Sequence, residues 1–198
     1  IVPANVAMAR MATTQDWAKL SAEQREKAAR EMQAYAAMAT AMDREIGRLV
    51  AHLQAIGEYE NSLIIFLSDN GAEPTDPYNR LRNRLFLNAQ LDNSLGNIGR
   101  RGSMSVIGPS WASAAASPLK GYKFSAAEGG LRVPLILHWA GGNWPSGAIA
   151  SGFAHVTDLA PTIAQLAGAA LPDGNWQGRP VEPVTGRSLV PMLTGGSH

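Results

Sequence analysis

Two adjacent oxygen-bearing side chains, Asp69 and Asn70, stand directly after an apolar run and directly before Gly71. A carboxylate and an amide placed this way can both bend toward one hard cation such as calcium. The same Asp-Asn-Gly tripeptide also favours a polar turn closed by Asx hydrogen bonds. Calcium takes about six to eight oxygen ligands, so this pair cannot complete a site by itself. No second acidic cluster is offered: Asp76 and Asp92 stand alone in loop sequence, and Asp43 and Glu45 fall within a helical pattern. The other candidate is Lys123, in a glycine-flanked segment ahead of a second apolar run. A lysine there suits an anion as a flexible point charge with three donors, and it also reads as an ordinary surface lysine.

Other chemistries are poorly supported. With no cysteine, disulfides, zinc-thiolate sites and cysteine nucleophiles are excluded within this chain. His52, His138, His155 and His198 show no metal spacing, and His155 reads as a capping residue ahead of a helix. Neither a Gly-x-Ser-x-Gly elbow nor a Walker-type phosphate loop occurs. A net charge of +1 and no basic stripe give no reason to expect nucleic acid as a partner. Arg100-Arg101 reads as a solvated loop pair. No apolar run approaches the ~18 residues a membrane span needs, so no membrane partner is expected either. The start at Ile1-Val2-Pro3 shows no signal pattern and suggests a part of something longer, and the compartment stays unread.

Several elements must position these candidates. Ser21 followed by Gln24 fits a capping box that opens a long helix. From there Met32, Tyr35, Ala39, Met42, Ile46, Leu49, Leu53 and Ile56 step by three and four, which predicts one buried stripe. A coiled coil has the same spacing. Gly57 is the expected helix stop. Leu63 to Leu67 is apolar without alternation, the pattern of a strand buried on both faces in a parallel sheet. That places Asp69 and Asn70 at the strand's carboxyl end, the edge where open α/β sheets collect ligands. Residues 72–119 read as a long irregular, functional stretch. A second strand is expected over Val133 to Leu137, with Pro134 near its start. Asp158 is the expected N-cap of a helix running to about Ala167, with Gly168 as its stop, and a last short helix should lie between Ser188 and Gly195.

In this order the pieces resemble the sulfatase family of the alkaline-phosphatase superfamily. They are Met42 through Leu49, Glu60 through Gly71 with its Ser-Asp-Asn-Gly, Gly108-Pro109-Ser110-Trp111-Ala112, Lys123 through Pro134 (Lys-x4-Glu-Gly-Gly-Leu-Arg-Val-Pro), and His155 through Thr162. Gly108 to Ala112 and the further stretch Pro118 to Lys123 look closest to bacterial arylsulfatases. The resemblance implies a three-layer α/β/α fold with a mostly parallel sheet, incomplete here, residues 1–198 forming one partial catalytic domain. It implies calcium as cofactor, with Asp69 and Asn70 as two of its ligands, and Lys123 as the catalytic, substrate-binding lysine that contacts the sulfate ester. Lys120 has the wrong offset from Glu128, and Arg132 and the paired glycines are expected to shape the loop. The family's nucleophile is a formylglycine made from Cys or Ser in Cys/Ser-x-Pro-x-Arg, and no such motif occurs here. Missing too are the N-terminal acidic pair, the upstream Lys-x-His, the second catalytic His and the small C-terminal sheet. The expectation is part of a calcium-dependent sulfuric ester hydrolase, an arylsulfatase acting on small aryl sulfate esters, inactive as a separate chain. Its exposed apolar face is expected to favour self-association. A phosphate or phosphonate hydrolase of the same superfamily, or a non-catalytic binding remnant, are the alternatives.

Overall fold

The structure is a computed structural model that describes residues 11–195; Ile1-Val2-Pro3 and His198 lie outside the described residues. The chain divides into two compact units between Ala140 and Gly141.

In the first unit, helix α1 (Ala22–Ala55) opens on Ser21, whose hydroxyl accepts from the Gln24 N–H while the Gln24 side chain accepts from the Ser21 N–H. This is the expected capping box, and Gly57 follows the helix at φ +76°. The stripe, however, is not buried: Tyr35, Met42, Leu49 and Ile56 are 42–55% exposed. Toward its start the helix meets other parts of this unit. There the Trp111 indole N–H donates to the Ala28 carbonyl at 2.9 Å, and Trp17 packs on Trp111 with ring centroids 5.7 Å apart. The small core of this unit is Ile98, Ala112 and Tyr122.

Strand β1 (Leu63–Leu67) lies where the apolar run predicts it. The stretch after it is less irregular than expected, since α2 (Leu81–Gln90) and α3 (Gly108–Ala116) form within it. Pro109 in the first turn of α3 is harmless because an N–H there has no helical partner to lose. A single turn, α4 (Glu128–Leu131), leads to β2 (Leu135–Trp139), which starts two residues later than expected and just past Pro134.

The full burial expected of both strands is not met, and the pair that they form is not parallel. They run antiparallel, with Leu63 opposite Trp139 and Leu67 opposite Leu135. They form a two-stranded sheet. Neither strand is fully buried, and β2 alternates half-buried Leu135, Leu137 and Trp139 with exposed Ile136 and His138. The fold is mixed helix and small sheet.

This pairing decides what meets what. Because β1 ends opposite where β2 begins, the loop leaving β1 and the loop entering β2 share one edge. There the Gly71 N–H donates to the Gly130 carbonyl and the Lys123 N–H to the Ala72 carbonyl, both at 3.0 Å. The approach leaves no room for side chains. A Cβ on Gly71 would lie 1.9 Å from the Gly129 oxygen, and one on Gly130 would lie 2.2 Å from the Ser125 oxygen.

The second unit holds α5 (Leu159–Leu166), a two-residue hairpin of β3 (Asn175–Trp176) and β4 (Arg179–Pro180), and α6 (Val190–Leu193). Asp158 stands at the N-cap position of α5, as expected, but its side chain makes no capping hydrogen bond to that helix. Asp158 is buried, and its carboxylate accepts the backbone N–H groups of His155 and Arg187 at 2.7 and 2.9 Å. The preceding 3-10 turn, Val156–Asp158, is capped by His155, the role expected for that histidine. Thr162, fully buried, ties the unit together by donating to the Asp158 carbonyl and accepting from the Leu189 N–H.

Replacing Gly71 by alanine forces a methyl into the backbone of Gly129. The expected result is a loss of about 1–3 kcal/mol or more of stability, measured by urea unfolding. Alanine accepted there without loss would mean that the two loops do not pack as described.

Candidate active site

Each predicted site residue lies at the shared edge or on the loops that form it. Asp69 follows β1 and is exposed, with Asn70 half-buried beside it. The Asn70 amide donates to the Asp69 carboxylate. That bond, helped by the charge of Lys123, holds the Asp69 carboxyl below its ordinary range. Asp69 is therefore an ionised, solvent-facing carboxylate.

Lys123 reaches the same edge from the other loop. Its backbone is tied to Ala72, and its ammonium meets the Glu73 carboxylate at 2.8 Å. Glu73, with Asp69 as a smaller contributor, raises the Lys123 pKa. Glu73 in turn accepts the Thr75 N–H at 2.9 Å, and the two contacts, Lys123 foremost, pull its carboxyl down to about 2. The Phe124 ring centroid lies 5.2 Å from the Lys123 ammonium, within cation–π range.

Glu73 is the residue that sequence reasoning missed. Its signal was a carboxylate three positions past Asn70, in the loop that the resemblance sets near Lys123. The other candidates do local work. Asp76 and Asp92 close turns by accepting the N–H groups of Tyr78 and Ser94, and Arg132 pairs with Glu128 at 3.2 Å on an exposed surface. Lys120 contributes its backbone, with its carbonyl accepting the Gly129 N–H. The hollow between α1 and the loop at residues 95–100, lined by Arg30, Gln33, Leu95 and Arg100 among others, includes none of the site residues.

The donor set fits calcium in kind, since a carboxylate and an amide are hard oxygen ligands. Asn70 would have to turn its amide over to present oxygen instead of N–H. Among the described residues no three His, Cys, Asp or Glu side chains gather into a metal cluster. Asp69 and Asn70 alone would supply only part of a shell.

Comparison with known proteins agrees on one family. The sulfatase family profile matches residues 9–169. An uncharacterized sulfatase of Schizosaccharomyces pombe is 37% identical over 188 residues, covering 92% of this chain and 33% of the relative. An arylsulfatase of Klebsiella aerogenes is 37% identical over 175 residues, covering 88% of this chain and 37% of the relative. Mouse steryl-sulfatase is 30% identical over 167 residues, 83% of this chain and 21% of its own length. The chain thus spans about a third of the length of the first two.

The Glu73–Lys123 pair has a pH signature with a definite sign. A carboxyl whose pKa is depressed on folding adds stability above its ordinary range, and that contribution drains away as pH falls toward about 2. The pair is open to water, so the stability change should be small. The titration should be plain: carbon NMR should follow Glu73 at about 2 in the native chain and back in the usual carboxylate range in Lys123→Met. An unshifted Glu73 in the native chain would rule the pair out.

Proposed function

Starting from the fact that the chain belongs to the sulfatase family, we propose that it is part of a calcium-dependent hydrolase of sulfate esters, with aryl sulfates as substrates. Asp69 and Asn70 serve as two calcium ligands and Lys123 as the group that contacts the sulfate. The parent catalytic domain is an α/β/α sandwich in which β1 and β2 are two strands of a larger sheet. The observation that carries the reading is the placement of Lys123, whose backbone hydrogen-bonds to Ala72, three residues beyond Asp69.

The division of labour follows from charge. A sulfate monoester carries one negative charge on oxygens that accept hydrogen bonds. The Lys123 ammonium, kept protonated by Glu73, can donate to these oxygens and to the oxygen of the departing alcohol or phenol as charge builds on it. It can do so without leaving Glu73, because one ammonium has three N–H groups. Calcium, when bound, would supply a fixed divalent charge beside the sulfate oxygens. The exposed Asp69 carboxylate would otherwise repel the ester, so its negative charge is consistent with service to a cation. No residue here suits the attack on sulfur by the family's route, since the chain has no cysteine and no Ser-x-Pro-x-Arg.

The 198-residue chain, given a chromogenic aryl sulfate and calcium, is expected to show no turnover above a Lys123→Ala control. Binding should still be visible. In NMR titrations, inorganic sulfate is expected to shift the Lys123 side-chain signal, and calcium the signals of Asp69 and Asn70. Turnover by the chain would contradict the assignment of the nucleophile to another segment. Sulfate shifts that persist unchanged in Lys123→Ala would remove the lysine from the site.

A further inference from the structure

We infer that Phe124 is the platform for the aromatic leaving group of the ester, and so the residue that favours aryl over alkyl sulfates; this rests on the sulfatase reading above. Three features of Phe124 converge. First, its backbone is in the wrong place for its side chain. The Ser125 N–H closes a four-residue turn onto the Tyr122 carbonyl at 3.1 Å, and Phe124, third in that turn, has φ +70°. Glycine or asparagine normally takes such a position, because a Cβ crowds the following carbonyl. Second, the ring is not repaid by burial, since it is 80% exposed. Glycine would relax the turn, and a polar residue would suit the water better. A strained, exposed aromatic is the kind of outlier from which function is inferred.

The third feature is its neighbour. The Lys123 ammonium lies 5.2 Å from the Phe124 ring centroid. That ammonium is anchored on its other side by Glu73, and the backbone of Lys123 by Ala72. An ester whose sulfate meets Lys123 therefore carries its organic group within reach of the Phe124 ring. Aromatic rings pair well with centroids about 4.5–7 Å apart. A phenyl group can stack on or meet the ring edge there, whereas a methyl group offers little surface. The turn that strains Phe124 is also what keeps its ring out in solvent, where such a group would arrive.

The test compares three anions on the chain in the presence of calcium, by NMR titration: inorganic sulfate, methyl sulfate and phenyl sulfate. Phenyl sulfate is expected to bind about two- to tenfold more tightly than methyl sulfate, the range of one aromatic pair. Phe124→Gly should abolish that preference, while inorganic sulfate, which has no leaving group, binds both proteins alike. Its unfolding midpoint should equal or exceed that of the native chain, because glycine suits φ +70°. Phe124→Trp should keep the preference for phenyl sulfate. A phenyl preference that survives Phe124→Gly overturns the inference and leaves the sulfatase reading intact, and a lowered midpoint in that variant overturns it too, by making the ring structural. Sulfate binding that does not depend on Lys123 removes the lysine from the proposed site, and overturns this inference with it.

Discussion

The close approach of two backbones, Gly71 against Gly129 and Gly130, is the constraint on which the rest of this edge depends. The gap left for a Cβ on Gly71 is 1.9 Å, far inside contact distance. The two loops can meet at that range only if position 71 brings no side chain, while Gly129 and Gly130 are required by the folding of their own loop. Their reward is a hydrogen bond from Gly71 to Gly130 and another from Lys123 to Ala72. Asp69 and Asn70 leave the junction on one loop, and Lys123 on the other. The polar groups are thus fixed by main chain and not by a packed core, which suits a unit whose buried apolar residues are so few.

The electrostatics at this edge are finely balanced. Lys123 stands between the carboxylates of Glu73 and Asp69, both of which favour its charged form. It lowers the pKa of both in return, most strongly that of Glu73, which it contacts directly. Two negative charges beside one positive charge leave the edge short of cations. An anionic ester would meet net repulsion there without a further positive charge. A divalent ion at Asp69 and Asn70, as proposed, would offset this imbalance and ease the binding of an anion at Lys123.

The two units are stabilised differently. In the second, the buried Asp158 carboxylate and Thr162 hydroxyl satisfy backbone groups of Arg187, His155 and Leu189, so a polar brace replaces apolar mass. In the first, α1 presents Tyr35, Met42, Leu49 and Ile56 to solvent along most of its length. Its helical form is secured locally, by the capping box and by an uninterrupted run of residues without proline.

Local chemistry made much of this protein legible from its residues alone. The capping box at Ser21, the stop at Gly57 and the limits of β1 all depend on neighbours in the chain, and the order of motifs carried the sulfatase family. Long-range pairing was decided only in three dimensions. An unbroken apolar run says that a strand is apolar, not which way its partner runs, and the difference between a parallel register and the antiparallel one of Leu67 with Leu135 lies outside it. That difference matters, because a parallel pair would have put the loop before β2, with Lys123, at the opposite edge from Asp69. The stripe on α1 and the role of Asp158 were misread for a related reason, since periodicity and capping rules describe one helix and not what lies against it. Glu73 joins the site through a 2.8 Å contact with Lys123, a pairing that its place three residues past Asn70 does not specify. It arises only when the two loops close on each other.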